Sequence, residues 1–406
     1  MVVSGWSGTG AWTSCALANL DLLRGLAMVV MVLDHVRDFV HTGGVIEDPT
    51  DLATTTPGLF ATRWITHFCA PTFVFLAGLS VRLQLQRGAD PRVLAGSLRR
   101  RGLFLVGVEV VLLRPLILFQ FDHRLVAFLQ VIWKIGVSMC LLSAMLRWRV
   151  AVVGGLGLLL VFGLGAVIPH ESFLFAPAFS IDAAKVLLLL RGAVPLWNKG
   201  PVLACVYPLL PWFGVMALGY ATGTLCARAA EVRRRWLLWL GLAATGLFAV
   251  LRAVRGYGDP GPWNPRVEGW RAVVSFFRVE KYPPSLQFVA MTLGPVLLFP
   301  AFSERLRGDG PLRRLVALGR APLVFYVLQW PAAHLVSRLF QWLDGQPVGW
   351  DRIDFLGDLA LPEGCGFSLP VVYLAWSVTL LVITPLTFAT ERWRTARERG
   401  GLWRYV

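Results

Sequence analysis

Long apolar stretches recur along the whole chain, and each is close to the length of a membrane-spanning helix. A helix that crosses a bilayer needs roughly 20 mostly apolar residues, and about ten segments meet this criterion. We predict these spans at residues 18–40, 59–81, 101–120, 125–147, 150–169, 201–226, 236–254, 285–303, 318–341 and 369–390. No soluble domain or long linker interrupts the series. The pattern therefore predicts an all-α polytopic membrane protein, with about ten transmembrane helices in a single domain over residues 1–406.

The composition agrees with a membrane location. Of all residues, 56% are hydrophobic and only 16% are charged, whereas an average soluble domain has about 25% charged residues. The net charge of +15 would suit a nucleic-acid partner, but basic residues also gather in the cytoplasmic loops of membrane proteins. No basic module laced with aromatic residues is present, so we expect no nucleic-acid partner. The cysteines show neither a CxxC nor a zinc spacing, so we expect no disulfide framework and no metal site.

The loop charges predict the orientation of the spans. Arginines cluster between spans two and three, six and seven, eight and nine, and after span ten. The loop of residues 41–58 on the other side has no Arg or Lys. By the positive-inside rule, both termini are therefore cytoplasmic. The predicted outer loop of residues 255–284 departs from the rule because it is rich in Arg, and within it residues 267–277 have the spacing of an amphipathic helix.

Charged residues lie inside the first predicted span, where burial in lipid is costly. At 100° per residue, Arg24 and His35 lie on one helical face, and Asp21 and Asp38 lie within about 60° of it. Arg24 is near the cytoplasmic end, whereas Asp34 and His35 are near the outer end. We therefore expect this face to line the protein interior or a water-filled cavity.

The second span begins outside and carries Arg63 and His67 one turn apart. A short loop joins spans one and two, which favours antiparallel neighbours, so Asp34, His35, Arg63 and His67 are predicted to meet in one pocket. An imidazole beside a carboxylate can take a proton from a hydroxyl or an amine near neutral pH. Asp34 or Asp38 would orient the ring of His35. The residues do not decide whether histidine acts in acyl transfer as a general base or as a nucleophile.

Other polar and small residues in the spans have structural interpretations. Glu109 and Lys134 lie near the middle of spans three and four, and we interpret them as a buried ion pair. Gly219 and Gly223 form a GxxxG pattern that indicates close helix packing. The two prolines in residues 207–212 are expected to break the start of span six.

Five segments together resemble a known family. They are LDLLRGLAMVVMVLDHVRD (20–38), FCAPTFVFLAGLS (68–80), YPLLPWFGVMALGYATG (207–223), KYPPSLQFVAMTLGP (281–295) and LGRAPLVFYVLQWPAAH (318–334). The combination is similar to bacterial membrane proteins related to the catalytic domain of heparan-α-glucosaminide N-acetyltransferase, within the transmembrane acyltransferase group.

The resemblance implies a fold of ten or eleven helices and a place in the bacterial inner membrane. It also implies acyl transfer from cytosolic acyl-CoA to an acceptor, often a sugar, at the far face. Acetyl-CoA or another acyl-CoA would be the donor substrate, with no permanently bound cofactor. The expected partners are this donor, a sugar, glycan or lipid-linked acceptor, membrane lipid and a second copy in a homodimer. The lysosomal relative acetylates the terminal glucosamine of heparan sulfate, but that acceptor is not carried over to this chain.

The resemblance also implies roles for single residues. The polar end of the family's first span corresponds to Asp34 and His35, and the polar residue of its second span corresponds to His67. The family's Lys-Tyr-Pro-Pro element corresponds to Lys281 and Tyr282, which would close the outer mouth of the site. In span nine this chain has Gln329 where the family leads us to expect a histidine.

The resulting prediction is a membrane-embedded acyltransferase with His35, Asp34 and His67 as catalytic residues. The predicted substrate-binding residues are Arg24, Arg37, Asp38, Arg63, Lys281, Tyr282, Gln329 and His334. The arginine-rich cytoplasmic side, including Arg24, would attract the phosphates of the donor. The alternative is a transporter or flippase that uses the charged stripe as a translocation path. A structural subunit of a membrane complex is a third hypothesis.

Overall fold

Most of the described chain is helical. The computed structural model describes residues 10–44, 47–119, 125–167, 183–195, 202–303, 310–349 and 364–396. In the first half, the helices are α1 (Gly10–Val40), α2 (Pro57–Thr66), α3 (Cys69–Gln86), α4 (Pro91–Gly107), α5 (Arg114–Leu118), α6 (Val131–Ala144) and α7 (Val150–Val167). They are followed by α8 (Ala183–Leu188), α9 (Leu209–Thr222), α10 (Ala230–Val254), α11 (Trp270–Phe277), α12 (Leu286–Ser303), α13 (Pro311–Leu318), α14 (Pro322–Leu343) and α15 (Leu369–Ala396).

Five helical segments within the described residues are long and apolar enough to cross a membrane. They are Pro57–Gln86, Leu209–Ala227, Ala230–Val254, Leu286–Ser303 and Leu369–Trp393. The α13–α14 pair, bent by 92°, makes a sixth if it is counted as one span. The shorter apolar helices are Val131–Ala144 and Val150–Leu164. The all-α polytopic membrane fold is therefore confirmed, whereas the number of about ten spans stays a prediction.

Two predicted spans start differently in the structure. The spans at 125–147 and 201–226 open with strands β1 (Leu125–Leu129) and β3 (Val202–Cys205) instead of helix. With β2 (Gly192–Pro195) they form a sheet in the order β1-β3-β2, where β1 and β3 are parallel and β2 and β3 antiparallel. A short apolar run suits a buried strand as well as a buried helix, so hydropathy alone does not separate them.

The prolines of residues 207–212 mark the break between β3 and α9, as predicted. Pro208 has the extended backbone of a helix N-cap residue, and α9 begins at Leu209. Pro211 then lies in the first turn, where the missing N–H group of proline removes no intrahelical hydrogen bond. The broken start of span six is thus confirmed.

The chain folds into two compact units. The first contains the described residues of Met1–Cys69, Pro115–Phe121 and Phe302–Val406, and the second those of Ala70–Arg114 and Asp122–Ala301. In the first unit, α1 packs against α2, α13, α14 and α15. In the second unit, α4 packs on α6, and α9 packs on both α6 and α7. A π-helix, Val108–Leu113, interrupts the path from α4 to α5.

Glycines let helix backbones touch in both units. In the first unit, a methyl group on Gly25 would overlap the carbonyl of Leu315, and one on Gly319 would overlap the carbonyl of Asp21. In the second unit, Gly219 faces the carbonyl of Phe75 in the same way, and Gly223 lies against Arg82. The close packing predicted from the GxxxG pattern is therefore confirmed.

We expect Gly219→Ala to destabilise the protein by roughly 1–3 kcal/mol, the usual cost of overpacking a filled contact. The added methyl group would meet main-chain atoms of Phe75, which cannot rotate away as a side chain can. Thermal unfolding in detergent measures the loss. Gly246→Ala is the matched control, because nothing lies within 4 Å of a methyl group there. Equal melting temperatures for both variants would contradict the packing interpretation.

A buried arginine organises the loop of residues 255–284. Arg252 is only 1% exposed. Its guanidinium donates hydrogen bonds to the carbonyls of Phe276, Gly261 and Ser275 at 2.8, 2.6 and 2.8 Å. Asp259 lies 3.6 Å from it. Burial raises the pKa of the Asp259 carboxyl, although hydrogen bonds from Ser285 and from the Glu280 amide act in the opposite direction.

The amphipathic helix predicted within residues 267–277 is confirmed as α11. Val274 on its inner face is 4% exposed, whereas Val273 on its outer face is 58% exposed. The guanidinium of Arg271 lies 5.0 Å from the ring centre of Trp270. Its location at a lipid headgroup layer stays a prediction.

Candidate functional site

A network of buried charges joins α1 to α2 in the first unit. Arg63 Nη1 lies 2.5 Å from Asp34 Oδ2, and Arg37 Nη2 lies 3.2 Å from Asp34 Oδ1. The same Arg37 nitrogen lies 2.5 Å from Asp38 Oδ1. The predicted meeting of Asp34 with Arg63 is therefore confirmed. Two guanidinium groups balance two carboxylates, which is how buried charges become tolerable in a low-dielectric setting.

His35 lies next to this network and is held by an aromatic wall from α14. Its ring stacks on the indole of Trp330, with 4.0 Å between ring centres and 24° between planes. Tyr326, one turn earlier on α14, meets the imidazole edge-on at 6.3 Å. His35 is partly buried, so the ring is fixed in orientation and still has accessible surface. The π-face of an indole attracts cations, so Trp330 would stabilise the positively charged form of the imidazole.

His67 is buried at the junction of α2 and α3. It is 3% exposed, and its backbone N–H donates to the carbonyl of Trp64 at 3.2 Å. Arg63 precedes it by one helical turn, and His35 directly follows Asp34 in the chain. The contact between Arg63 and Asp34 thus joins the two helices that carry the imidazoles. A direct role of His67 in catalysis stays a prediction.

The interior of α14 holds two further predicted site residues. Gln329 is fully buried, and within the described part of the chain neither atom of its amide group has a hydrogen-bond partner. His334 is also fully buried; its Nε2 lies 3.0 Å from the carbonyl of Ile117, and its ring packs between Phe39 and Phe119. This enclosure favours a packing role for His334, whereas a ligand contact of Gln329 stays a prediction.

Midway along α1, Arg24 is engaged with the protein itself. Its Nη1 lies 2.7 Å from Asp21 Oδ1, and Arg320 Nε lies 3.1 Å from the other oxygen of the same carboxylate. The charged pair of Arg24 and Asp21 predicted in the first span is therefore confirmed. The contact of Arg24 with donor phosphates stays a prediction.

Lys281 and Tyr282 lie in the second unit, within a group of aromatic rings and cations. The hydroxyls of Tyr282 and Tyr207 are 3.1 Å apart, and Lys281 Nζ lies 4.9 Å from the Tyr282 ring centre. Lys134 Nζ lies 3.2 Å from the ring centre of Trp212 and 4.2 Å from that of Tyr207. Sequence reasoning did not connect Tyr207 with Tyr282, although each precedes a proline.

The predicted ion pair between Glu109 and Lys134 is wrong. Glu109 Oε2 instead accepts hydrogen bonds from the backbone amides of Ile132 and Trp133, at 2.9 and 3.0 Å. The first amides of a helix have no intrahelical partner, so a carboxylate at the start of α6 satisfies them. The ammonium of Lys134 lies on the face of Trp212, where the ring quadrupole attracts a cation.

Removing the guanidinium of Arg63 should destabilise the first unit. Arg63→Ala removes the guanidinium that lies 2.5 Å from Asp34 Oδ2, and we expect a loss of about 2–3 kcal/mol, as for a hydrogen bond to a charged group. Thermal unfolding in detergent measures the loss. Arg92→Ala serves as the control, because Arg92 is exposed and such surface changes are usually within about 0.5 kcal/mol. An unchanged melting temperature for Arg63→Ala would contradict the role of this ion pair.

Sequence reasoning missed the aromatic partners of His35. Tyr326, Trp330 and His334 recur every four residues on α14, which places them on one helical face. That spacing was a signal for a functional stripe, but nothing in it indicates that the stripe faces α1. The pairing depends on tertiary packing between segments almost 300 residues apart.

Comparison with known proteins places the chain in a family. The family model described as "Heparan-alpha-glucosaminide N-acetyltransferase, catalytic" matches residues 17–252, which is more than half of the chain. No curated protein matches the chain. The matched region includes α1 and α2 with Asp34, His35, Arg63 and His67, whereas α14 lies beyond it. With its apolar helices, this integral membrane protein belongs to the heparan-alpha-glucosaminide N-acetyltransferase catalytic-domain family, a family of membrane acetyltransferases.

Proposed function

We propose that the protein transfers an acetyl or other acyl group from cytosolic acyl-CoA to a sugar or glycan acceptor at the outer face of the membrane. The observation that carries this proposal is the imidazole of His35. It is partly buried, stacked on Trp330 at 4.0 Å, and adjacent in sequence to the charge-balanced carboxylate of Asp34. A histidine in this setting has a fixed ring plane and some accessible surface, so it can be positioned within reach of the proton that a general base takes.

In the general-base route, His35 takes the proton from the hydroxyl or amine of the acceptor. The acceptor oxygen or nitrogen then attacks the thioester carbonyl, and the carbon–sulfur bond breaks. The thiolate of CoA leaves and receives a proton, so the products are the acylated acceptor and free CoA. In the nucleophilic route, His35 attacks the thioester carbonyl first, the carbon–sulfur bond breaks, and the thiolate of CoA leaves and receives a proton. The acceptor then attacks the acyl-histidine and loses its proton, the acyl–nitrogen bond breaks, and the free imidazole is regenerated. Both routes use the same ring.

Neighbouring residues have distinct roles in this proposal. Trp330 favours the imidazolium that forms in the general-base route, because its π-face attracts a cation. Gln329 supplies a buried amide N–H with no partner among the described residues, and we assign it to the oxygen on which charge develops during attack. Asp34 balances the guanidinium charges of Arg63 and Arg37 and holds α1 against α2.

The remaining assignments follow from the family resemblance and the charge pattern. Lys281 and Tyr282 would bind the acceptor, and Arg24 would attract the donor phosphates. Arg37, Asp38 and His334 stay predicted substrate-binding residues, and His67 a second acid–base group. The proposed location is a bacterial inner membrane with both termini in the cytoplasm, and a homodimer remains a prediction. The family match does not favour the transporter or flippase hypothesis.

Labelled acetyl-CoA incubated with the purified protein tests the proposal. We expect release of free CoA thiol and, by mass spectrometry, an acetyl label on a co-purified or added glycan, on a lipid, or on a histidine. A carrier would leave the thioester intact. No thiol release above that of a protein-free sample, across a panel of amino-sugar and hydroxyl acceptors, would reject the enzyme hypothesis.

A further inference from the structure

A groove lies between α13 and α15 in the first unit, and none of the residues assigned a role in the proposed acyl transfer lines it. Its volume is about 1500 Å³. Its lining includes three arginines, Arg313 and Arg314 from α13 and Arg392 from α15. It also includes the apolar residues Leu380, Leu381 and Phe388 of α15. The groove therefore combines a cationic rim with an apolar wall.

The cationic rim has little negative charge of its own to balance it. Arg313, Arg314 and Arg392 are exposed, and no carboxylate of the described residues lies within 4.0 Å of their guanidinium groups. Arg320, a fourth arginine of the lining, is paired with Asp21. Glu391 is the acidic residue of the lining. The rim thus keeps an excess of positive charge that an anion would neutralise.

The apolar wall belongs to a helix that faces outward. Only 22% of the spanning window of α15 is buried inside the protein, and Leu381 is 75% exposed. In a membrane, such a surface contacts acyl chains. The basic rim lies beside this surface, at the end of α15 where the helix passes from apolar residues to Glu391 and Arg392. The basic residues and the apolar surface are thus arranged like the charged headgroup and the acyl chain of a phospholipid.

The groove also brings together two arginine clusters from distant parts of the sequence. Arg313 and Arg314 follow span eight, and Arg392 follows span ten. The positive-inside rule predicts the cytoplasmic side for both clusters. Because the two clusters line one groove, they lie on the same side of the membrane, as the rule predicts. Anionic lipids are concentrated in the cytoplasmic leaflet.

We propose that this groove binds one anionic phospholipid, with its phosphate on Arg313, Arg314 and Arg392 and one acyl chain along Leu380, Leu381 and Phe388. The positive charge of the arginines favours a negatively charged headgroup. The outward-facing apolar residues favour a ligand that has an acyl chain. The phosphates of coenzyme A share the anionic chemistry. Apart from the hydroxyls of Ser377 and Thr384, however, the lining beside the arginines is mostly apolar, so it suits an acyl chain better than the polar ribose and adenine of coenzyme A.

Native mass spectrometry of the delipidated full-length protein tests this proposal with two probes, phosphatidylglycerol and phosphatidylcholine. We expect one phosphatidylglycerol to bind at least about tenfold more tightly than phosphatidylcholine, since each basic side chain near an anionic headgroup contributes about fivefold. The double variant Arg313→Gln with Arg392→Gln should lose this preference. Its control is Arg92→Gln with Arg235→Gln, which removes the same charge from exposed residues outside the groove.

The possible outcomes distinguish lipid binding at the groove from non-specific binding to positive surface charge. Selective binding that disappears in the groove variant and persists in the control supports the proposal. Equal binding of both lipids, retained selectivity in the groove variant, or loss of selectivity in both variants overturns it. Displacement of the bound phosphatidylglycerol by free coenzyme A also overturns it, because the groove would then be a donor site. Melting temperatures confirm that the variants, which change exposed residues, are folded.

Discussion

His35→Ala should lower the rate of acetyl transfer by about 10²–10⁴-fold, the range typical for the loss of a general acid–base group. The imidazole is the group that the aromatic wall of Tyr326 and Trp330 holds in place. Its removal leaves the Asp34–Arg63 ion pair unchanged, so the variant should remain folded. Release of free CoA thiol by the purified protein measures the rate, and its melting temperature checks the fold.

A histidine at the end of the same helix provides the control. His41 Nδ1 accepts a hydrogen bond from the Gly43 amide at 3.0 Å, and His41→Asn keeps an acceptor there, so it should retain full activity. Added imidazole that restores activity to His35→Ala would indicate lost acid–base or nucleophilic function rather than lost structure. The catalytic assignment fails if folded His35→Ala protein releases thiol at the wild-type rate.

Glu109→Ala should cost roughly 2–6 kcal/mol of stability, since each of two buried amides left without an acceptor costs about 1–3 kcal/mol. The carboxylate accepts two amide hydrogen bonds at the start of α6. Without it, the amides of Ile132 and Trp133 stay buried without an acceptor. Thermal unfolding in detergent measures the loss, and Glu109→Gln, which keeps one acceptor oxygen, should recover part of it.

The stability of the Lys134→Met variant distinguishes this arrangement from an ion pair between Glu109 and Lys134. A direct pair would make the two truncations similarly harmful, because each would leave the other charge buried alone. In the structure, Glu109 is held by backbone amides and Lys134 by aromatic rings. Lys134→Met should therefore change stability by less than about 2 kcal/mol, since methionine nearly keeps the side-chain volume and the cation–π contacts that it removes are worth about 0.5–2 kcal/mol. A loss as large as that of Glu109→Ala would restore the ion-pair interpretation.

The helical content was predictable because hydropathy reports apolar segments of spanning length. The exceptions are the strands Leu125–Leu129 and Val202–Cys205, whose apolar composition resembles that of a helix. Hydropathy averages over a window and carries no information on backbone pairing. The break before α9 was predictable, since the proline ring restricts the backbone wherever it occurs.

Only those contacts of the candidate site that join neighbouring segments of the chain were predictable. Asp34 and Arg63 belong to consecutive spans, so a short loop sufficed to place them together. Trp330 lies far along the chain, and its stacking on His35 follows from the packing of α14 on α1, which residue spacing does not specify. Glu109 was misassigned because charge alone suggested Lys134, whereas the amides of a helix start carry no signature in the sequence.

The π-helix at Val108–Leu113 has a consequence for comparing this chain with its relatives. Arg114 N–H donates to the carbonyl of Glu109, five residues back, so this turn holds one residue more than an α-helical turn does. Deleting a residue such as Val110 would restore ordinary winding and rotate Glu109 relative to α5 by about 100°. A homologue with a one-residue gap after this glutamate would therefore keep its acidic residue at the start of α6 and change the direction of the side chains that follow, so an alignment that places the gap before the glutamate would assign the wrong residue to that helix start.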